Sequence, residues 1–440
     1  GFQDPGGGRP AAGPGQEDRG PAAELPGPAP VASNGCGSPQ ALPTGQPLHM
    51  TLPVKDASMF SPFRTYYLYL PQDFSNDKPL PVVFMFHGFY NTAQYEQVID
   101  SLMWESRERG GAFITVHPQA MEDCGKLNCE TMGAWNAGGT SQSPGVLGST
   151  CDHNRQTYGV YPCYTSCQSG LGALPPQGCR DPCSSSSCVN DTSFFETLLD
   201  HIEDTLCVDR RRMHVAGMSV GGMMAYSTLS AFASRLASGL PVAGSALLGF
   251  WRPPQRPVAL MDIHGFRDDT IPANLSNGYR WPKLRAPHGA VLSSDGMYYV
   301  RNARIMRSVA MANDCTFGGP LPWPTPQDGK AQWHCVQPYG SCRSGQPVVR
   351  CVWDGNHHLP FRGPRHQIDL PHRYKIRAFG RIAWQWFRQR FMPEEPPPRA
   401  STRQEARPGD LRRQLPMPAA PEEGEQGQDS RPEEDILSVF

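Results

Sequence analysis

Ser219 stands in Met213-His-Val-Ala-Gly-Met-Ser-Val-Gly-Gly222, between Gly217 and Gly221, where an apolar run gives way to residues with helical spacing. A serine on a sharp strand-to-helix turn projects its hydroxyl above the sheet edge, and the crowding of that turn leaves room only for hydrogen at the flanking glycines. The chemistry open to such a hydroxyl is attack on a carbonyl, and for that it needs a base to take its proton and an acid to hold the base. Both types follow in the order Ser, Asp, His. His264-Gly-Phe-Arg-Asp-Asp-Thr-Ile-Pro272 carries Asp268, with Asp269 as the alternative acid. Asp354-Gly-Asn-His-His-Leu-Pro360 carries His357, with His358 as the alternative base. A tetrahedral oxyanion also needs backbone donors. The amide of Val220, directly after the serine, is one candidate, and that of Phe89 or Tyr90, after the apolar run Pro81–Phe86 and His87-Gly88, is the other.

Each candidate falls at the end of a strand-like stretch, which is how residues distant in sequence can meet. Pro81-Val-Val-Phe-Met-Phe86, Arg211–Ala216, Pro257–Ile263 and Val348–Trp353 read as short buried strands, and Gly222–Phe232 reads as a helix with small residues toward a sheet. Alternation of such strands with helices predicts a parallel sheet covered on both faces. Tyr374–Phe391 is basic and amphipathic; the spacing predicts a closing helix laid on the sheet, with Arg and Lys toward water, rather than a membrane-surface helix.

Together with Arg64-Thr-Tyr-Tyr-Leu-Tyr-Leu-Pro71, Asp191-Thr-Ser-Phe-Phe195 and Cys207-Val-Asp-Arg-Arg-Arg-Met213, these motifs resemble those of the esterase/polyhydroxybutyrate depolymerase family, which is related to carbohydrate esterase family 1. The resemblance runs from about Arg64 to Phe391. It implies an α/β-hydrolase fold, with a mostly parallel central sheet flanked by helices, and a secreted serine esterase acting on feruloyl or acetyl esters of polysaccharide. Polyester depolymerisation of polyhydroxyalkanoates is the alternative activity, and a non-catalytic binding module is the alternative from another class. By motif, Ser219, Asp268 and His357 match the family's nucleophile, acid and base. Trp135-Asn136 resembles a pair near the family's substrate cleft, so Trp135 and Tyr90 are expected to touch the substrate, with Trp251 a further candidate. The implied chemistry requires no metal or organic cofactor.

Composition frames this reading. Residues 1–46 are dense in Gly, Pro and Ala, residues 393–440 in Pro, Glu, Arg and Gln, and neither stretch has the apolar content to offset its chain entropy; both are expected to be disordered. Residues 47–392 are expected to form one catalytic domain. Of 14 cysteines, eight fall in the segment 124–188, expected to be a disulfide-stapled loop insertion. Zinc is disfavoured there, because no paired C-x-x-C repeats and no histidines recur at matching intervals. Cys207, Cys315, Cys335, Cys342 and Cys351 are expected either to brace the catalytic loops or to staple the core. The even count, with glycosylation acceptors at Asn190 and Asn274, suits an oxidising, extracellular setting. The first residue, Gly1, opens no apolar leader, as expected of a chain numbered from a processed or fragment boundary. No run approaches the roughly 20 apolar residues of a spanning helix, and a net charge of −1 offers no basic field for nucleic acid.

Overall fold

A computed structural model of the chain describes residues 27–54, 62–121, 133–153, 164–168, 183–272, 286–324, 333–360 and 378–393. The chain divides into two compact units, Gly1–Pro393 and Glu394–Phe440; the second, and with it the expected C-terminal tail, lies outside the described residues.

The strands are β1 (Pro47–Pro53), β2 (Phe63–Tyr69), β3 (Leu80–Phe86), β4 (Ile114–Pro118), β5 (Val208–Met218), β6 (Ser238–Val242), β7 (Ala259–Gly265), β8 (Val291–Leu292), β9 (Tyr298–Tyr299), β10 (Leu321–Pro322), β11 (Trp333–Gln337) and β12 (Val348–Trp353). The helices are α1 (Ala93–Ile99), α2 (Leu102–Glu108), α3 (Thr165–Gln168), α4 (Asp191–Thr205), α5 (Val220–Ala231), α6 (Asn302–Ala312) and α7 (Ala378–Phe387). A 10-stranded sheet runs in the order β1-β2-β4-β3-β5-β6-β7-β12-β11-β10, while β8 and β9 pair apart from it. From β4 across to β12 neighbouring strands are parallel, and antiparallel strands close each edge.

The central strands are apolar on both sides because both sides are covered. Along β3, Val82, Phe84 and Phe86 enter one core with Phe194, Phe195, Leu198 and Leu199 of α4, Met223 and Leu229 of α5, and Ile305 and Val309 of α6. Val83 and Met85, pointing the other way, enter a second core with Leu102 of α2 and Phe379, Ile382, Trp386 and Phe387 of α7. The helix expected over residues 374–391 is therefore a covering helix over Ala378–Phe387, its apolar face spent on the sheet. Such a layered sheet, read with the serine turn at the end of its central strand β5, is an α/β-hydrolase fold. No helix among the described residues is long and apolar enough to cross a membrane.

The N-terminal boundary expected at residue 46 lies too late. Cys36 is bonded to Cys207, Ser33 Oγ donates to the Leu206 carbonyl (2.6 Å) and accepts from the Val208 amide (2.9 Å), and the Gly35 amide donates to the Glu203 carbonyl (2.9 Å). A segment poor in apolar residues is ordered here by backbone pairing and a covalent tie, neither of which composition reveals. Residues 1–26 lie outside the described residues. In the cysteine-rich stretch, Cys151 pairs with Cys183 and Cys167 with Cys188; Cys124, Cys129, Cys163 and Cys179 lie outside the described residues.

Candidate active site

The serine turn is built as its glycines require. Ser219 has φ 60° and ψ −122°, a positive-φ conformation that an L residue adopts only under constraint. A Cβ on Gly217 would run into the Gly221 carbonyl oxygen, and one on Gly221 into that of Phe86. The turn is thus wedged between β5, the start of α5 and the end of β3. Ser219 is nearly buried, 8% exposed.

From the end of β12 comes His357. Its Nε2 accepts the Ser219 hydroxyl at 2.7 Å, and its Nδ1–H donates to Asp268 Oδ2 at 2.8 Å. Asp268 leaves the end of β7 and is buried; its Oδ1 accepts the amides of Thr270 and Ile271, both at 3.0 Å. Asp269 and His358 are exposed, which distinguishes each from its buried or half-buried neighbour. The two loops are locked together: Phe266 N–H donates to the Trp353 carbonyl (2.8 Å) and Arg267 N–H to that of Gly355 (2.9 Å). A Cβ on Gly265 would collide with the Asn356 carbonyl oxygen, so a glycine is needed where β7 passes the loop that carries His357.

The loop after β3 lies against the serine, since a Cβ on Gly88 would stand 3.5 Å from Ser219 Cβ. His87 anchors this loop. Its Nδ1–H donates to the Gly88 carbonyl (2.8 Å) and its Nε2 accepts the Ala120 amide (3.0 Å), a pattern that requires the neutral ring. Burial drives its pKa down to about 4. Val220 opens α5, a 12-residue helix whose positive end faces the serine. Phe89 is half-buried against Ala134, Tyr164 and the Cys167–Cys188 pair, and Tyr90, at φ 57°, is 46% exposed beside it.

Trp135 is placed differently from the expectation that it lines a cleft. It is fully buried, its Nε1–H donates to the His87 carbonyl (2.9 Å), and its ring packs on Phe86. Its part is to brace the 87–89 loop from beneath. A large aromatic beside a polar residue reads the same in sequence whether it faces a ligand or a core. Trp251 is likewise engaged, donating to Ser308 Oγ at 2.8 Å.

Sequence reasoning passed over a buried polar group beneath Asp268. Asp262 and His264, both on β7 and both fully buried, contact each other, and Tyr226 O–H (2.7 Å) and Asn302 Nδ2 (2.9 Å) donate to Asp262 Oδ1. The available signal was two polar residues, two apart, inside an otherwise apolar strand. Among the described residues, Cys151, His153 and Cys183 form a group with metal-ligand geometry, but the disulfide between the two cysteines removes both sulfurs from it.

A serine, an imidazole and a carboxylate are thus linked in series by hydrogen bonds at the strand ends of an α/β-hydrolase sheet. No family model matches the chain. Over 83 residues it is 30% identical to a bifunctional acetylxylan esterase/xylanase of Neocallimastix patriciarum, a stretch covering 19% of this chain and 12% of that protein. Over 82 residues it is 30% identical to feruloyl esterase C of Emericella nidulans, covering 19% of this chain and 30% of that protein. The acetyl xylan esterase from Aspergillus awamori aligns in structure over 78% of this chain and 99% of its own, with a TM-score of 0.44 and 11% identity. The chain thus spans less than a third of the length of these curated relatives, and over the shared stretch it is related to the esterases that its motifs resemble.

Proposed function

We propose that this protein is a secreted serine carboxylic-ester hydrolase that works through an acyl-enzyme and acts on feruloyl or acetyl esters of polysaccharide. The observation that carries the reading is the continuous relay from Ser219 Oγ through His357 to Asp268, at 2.7 and 2.8 Å. His357 takes the hydroxyl proton as Ser219 attacks the ester carbonyl; the proton passes to the departing alcohol, and an activated water then releases the acid from Ser219. Asp268 holds the ring tautomer that presents Nε2 to the serine and offsets the cation that forms. The amides of Val220 and Phe89 are assigned to the oxyanion: the first opens a helix, and the second belongs to the loop packed against Ser219. Loss of one such donor typically costs about 3 to 4 kcal/mol of transition-state stabilisation. Tyr90, exposed at the rim, is assigned to the acyl or sugar group.

The names of the curated relatives support the ester classes proposed, and the disulfides support an oxidising compartment. The test has two parts. A fluorophosphonate probe should label the protein and fail to label Ser219→Ala. Rates on methyl ferulate, acetylated xylan and hydroxybutyrate oligomers should then rank the first two above the third. Absence of labelling in both forms would sink the enzymatic reading in favour of a binding module.

A further inference from the structure

Both ring nitrogens of His264 face acceptors. Nδ1 meets the two oxygens of Asp262 at 3.3 Å each, and Nε2 meets the Ile271 carbonyl at 2.9 Å. A carbonyl oxygen can only accept, so Nε2 carries a proton. Asp262 Oδ1 also takes donors from Tyr226 and Asn302, which favours the ionised carboxylate, and against an ionised carboxylate Nδ1 must carry a proton as well. Doubly protonated, the fully buried ring holds a positive charge whose orientation these neighbours fix.

That charge lies directly under the triad acid. His264 Nε2 is 3.9 Å from Asp268 Oδ2, the oxygen that receives His357 Nδ1–H. Ile271 couples the two: its carbonyl accepts a hydrogen bond from His264 Nε2–H while its amide donates to Asp268 Oδ1. The 268–271 turn is thus gripped from below by one imidazole and presents its carboxylate above to another. We propose that His264 is a positioning residue of this site, a buried imidazolium braced by Asp262 that sets the 268–271 turn and lends a fixed positive charge to the carboxylate shared with His357. The proposal rests on the ester-hydrolase reading given above.

The surrounding charges agree. Burial alone would lower the affinity of His264 for its second proton, but the charges of Asp262 and Asp268 and the bonds to Asp262 and Ile271 outweigh it and raise the pKa on balance. For Asp262, burial opposes ionisation, and the His264 charge, the bonds from His264 and Tyr226 and the charge of Arg350 on β12 together lower its pKa. The groups facing the ring are therefore Asp262 on its own strand, Asp268 in the following loop and, across Asp262, Tyr226 of α5 and Arg350 of β12. With His264 charged, two cations stand against the Asp268 carboxylate in the step where His357 holds the serine proton; without the lower cation only one does.

Two measurements test this. In protein with 15N-labelled histidine at pH 7.5, the His264 ring should show both nitrogens protonated, whereas His87 should show a neutral ring. A neutral His264 overturns the proposal whether or not any variant folds. In His264→Gln, which keeps one donor but loses the charge and the two-sided brace on the 268–271 turn, the misplaced carboxylate should lower kcat on p-nitrophenyl acetate with KM little changed. The acid-side midpoint of kcat against pH should move upward by about one unit, and Asp262→Asn should move it the same way. Loss of thermal stability and of rate with the midpoint unmoved would mean a structural role only, and overturns the proposal. A wild type that does not hydrolyse the ester defeats the functional reading instead and leaves the ring-protonation result intact.

Discussion

At Ser219 the backbone is held in a conformation that costs a non-glycine residue about 1–3 kcal/mol. Ser219→Ala and Ser219→Gly both remove the hydroxyl and should both lower kcat/KM by about 10^4-fold or more. They differ in whether a Cβ must be carried at positive φ. Glycine gives up roughly 0.5–1 kcal/mol in unfolded-chain entropy but is free of the strain, so Ser219→Gly should be more stable than Ser219→Ala by about 1 kcal/mol. Denaturant unfolding of the two variants measures the difference, and equal stabilities would mean that the turn stores no strain. His87 makes a second residue-scale prediction. Its folded pKa, about 4, lies below the ordinary 6.5, so between these values the unfolded chain binds more protons than the native one. The contribution of neutral His87 is complete above pH 6.5 and is lost as pH falls toward 4, about 3 kcal/mol in all. His264 has the opposite sign: its pKa is raised, so its contribution is complete below 6.5 and fades only as pH rises through the folded value. Urea unfolding from pH 8 down to 4, compared between wild type and His87→Gln, should show the variant with the shallower acid slope.

The site is made by element ends, and how legible each was depends on how local its constraint is. Gly217 and Gly221 are demanded within five residues of chain, so the serine turn could be read from sequence with its strand and helix attached. Asp268 against Asp269, and His357 against His358, could not be separated that way, because adjacent residues on a loop differ only in which faces the neighbouring loop; the structure buries Asp268 and exposes Asp269. The surroundings of Trp135 and His264 were illegible for a related reason, since they come from segments far away in sequence: His87 for the tryptophan, Tyr226 and Asn302 for the histidine network, which the sequence marked only as two polar residues in an apolar strand. Gly265 is the element-scale counterpart of the elbow glycines, as it lets the end of β7 pass the Asn356 carbonyl. Gly265→Ala must push apart the two loops that bring Asp268 to His357. It should cost at least tenfold in kcat in a protein that still melts cooperatively, because small displacements of a catalytic pair cost rate steeply. Melting curves run beside steady-state rates on one ester check this, and full activity in a folded Gly265→Ala protein would contradict the tight loop approach.

Over the whole molecule, the disulfides are built into or against the hydrophobic layers and cross-link segments that are distant along the chain. Cys335–Cys351 joins β11 to β12 on the strand that leads to His357, Cys315–Cys342 ties the segment after α6 to the loop after β11, and Cys36–Cys207 fastens the N-terminal segment to the strand that leads to Ser219. The last closes the longest of these loops, with a sequence separation of 171. In the chain-entropy account, a ring of that size restricts the unfolded chain by about 5 kcal/mol. Its effect on catalysis should nonetheless be slight. The 11 residues of β5 separate Cys207 from Ser219, and the half that leads to the serine, Met213–Met218, is held by β3 and β6. The hydrogen bonds of Ser33 and Gly35 to the α4–β5 connection would also survive the loss of sulfur. Cys36→Ala/Cys207→Ala should therefore lower the free energy of unfolding by up to about 5 kcal/mol while leaving kcat and KM at 25 °C within about twofold of wild type. A matching loss of activity at a temperature where the variant is still folded would mean that the N-terminal segment reaches the catalytic loops, and that the site depends on more than the strand ends that build it.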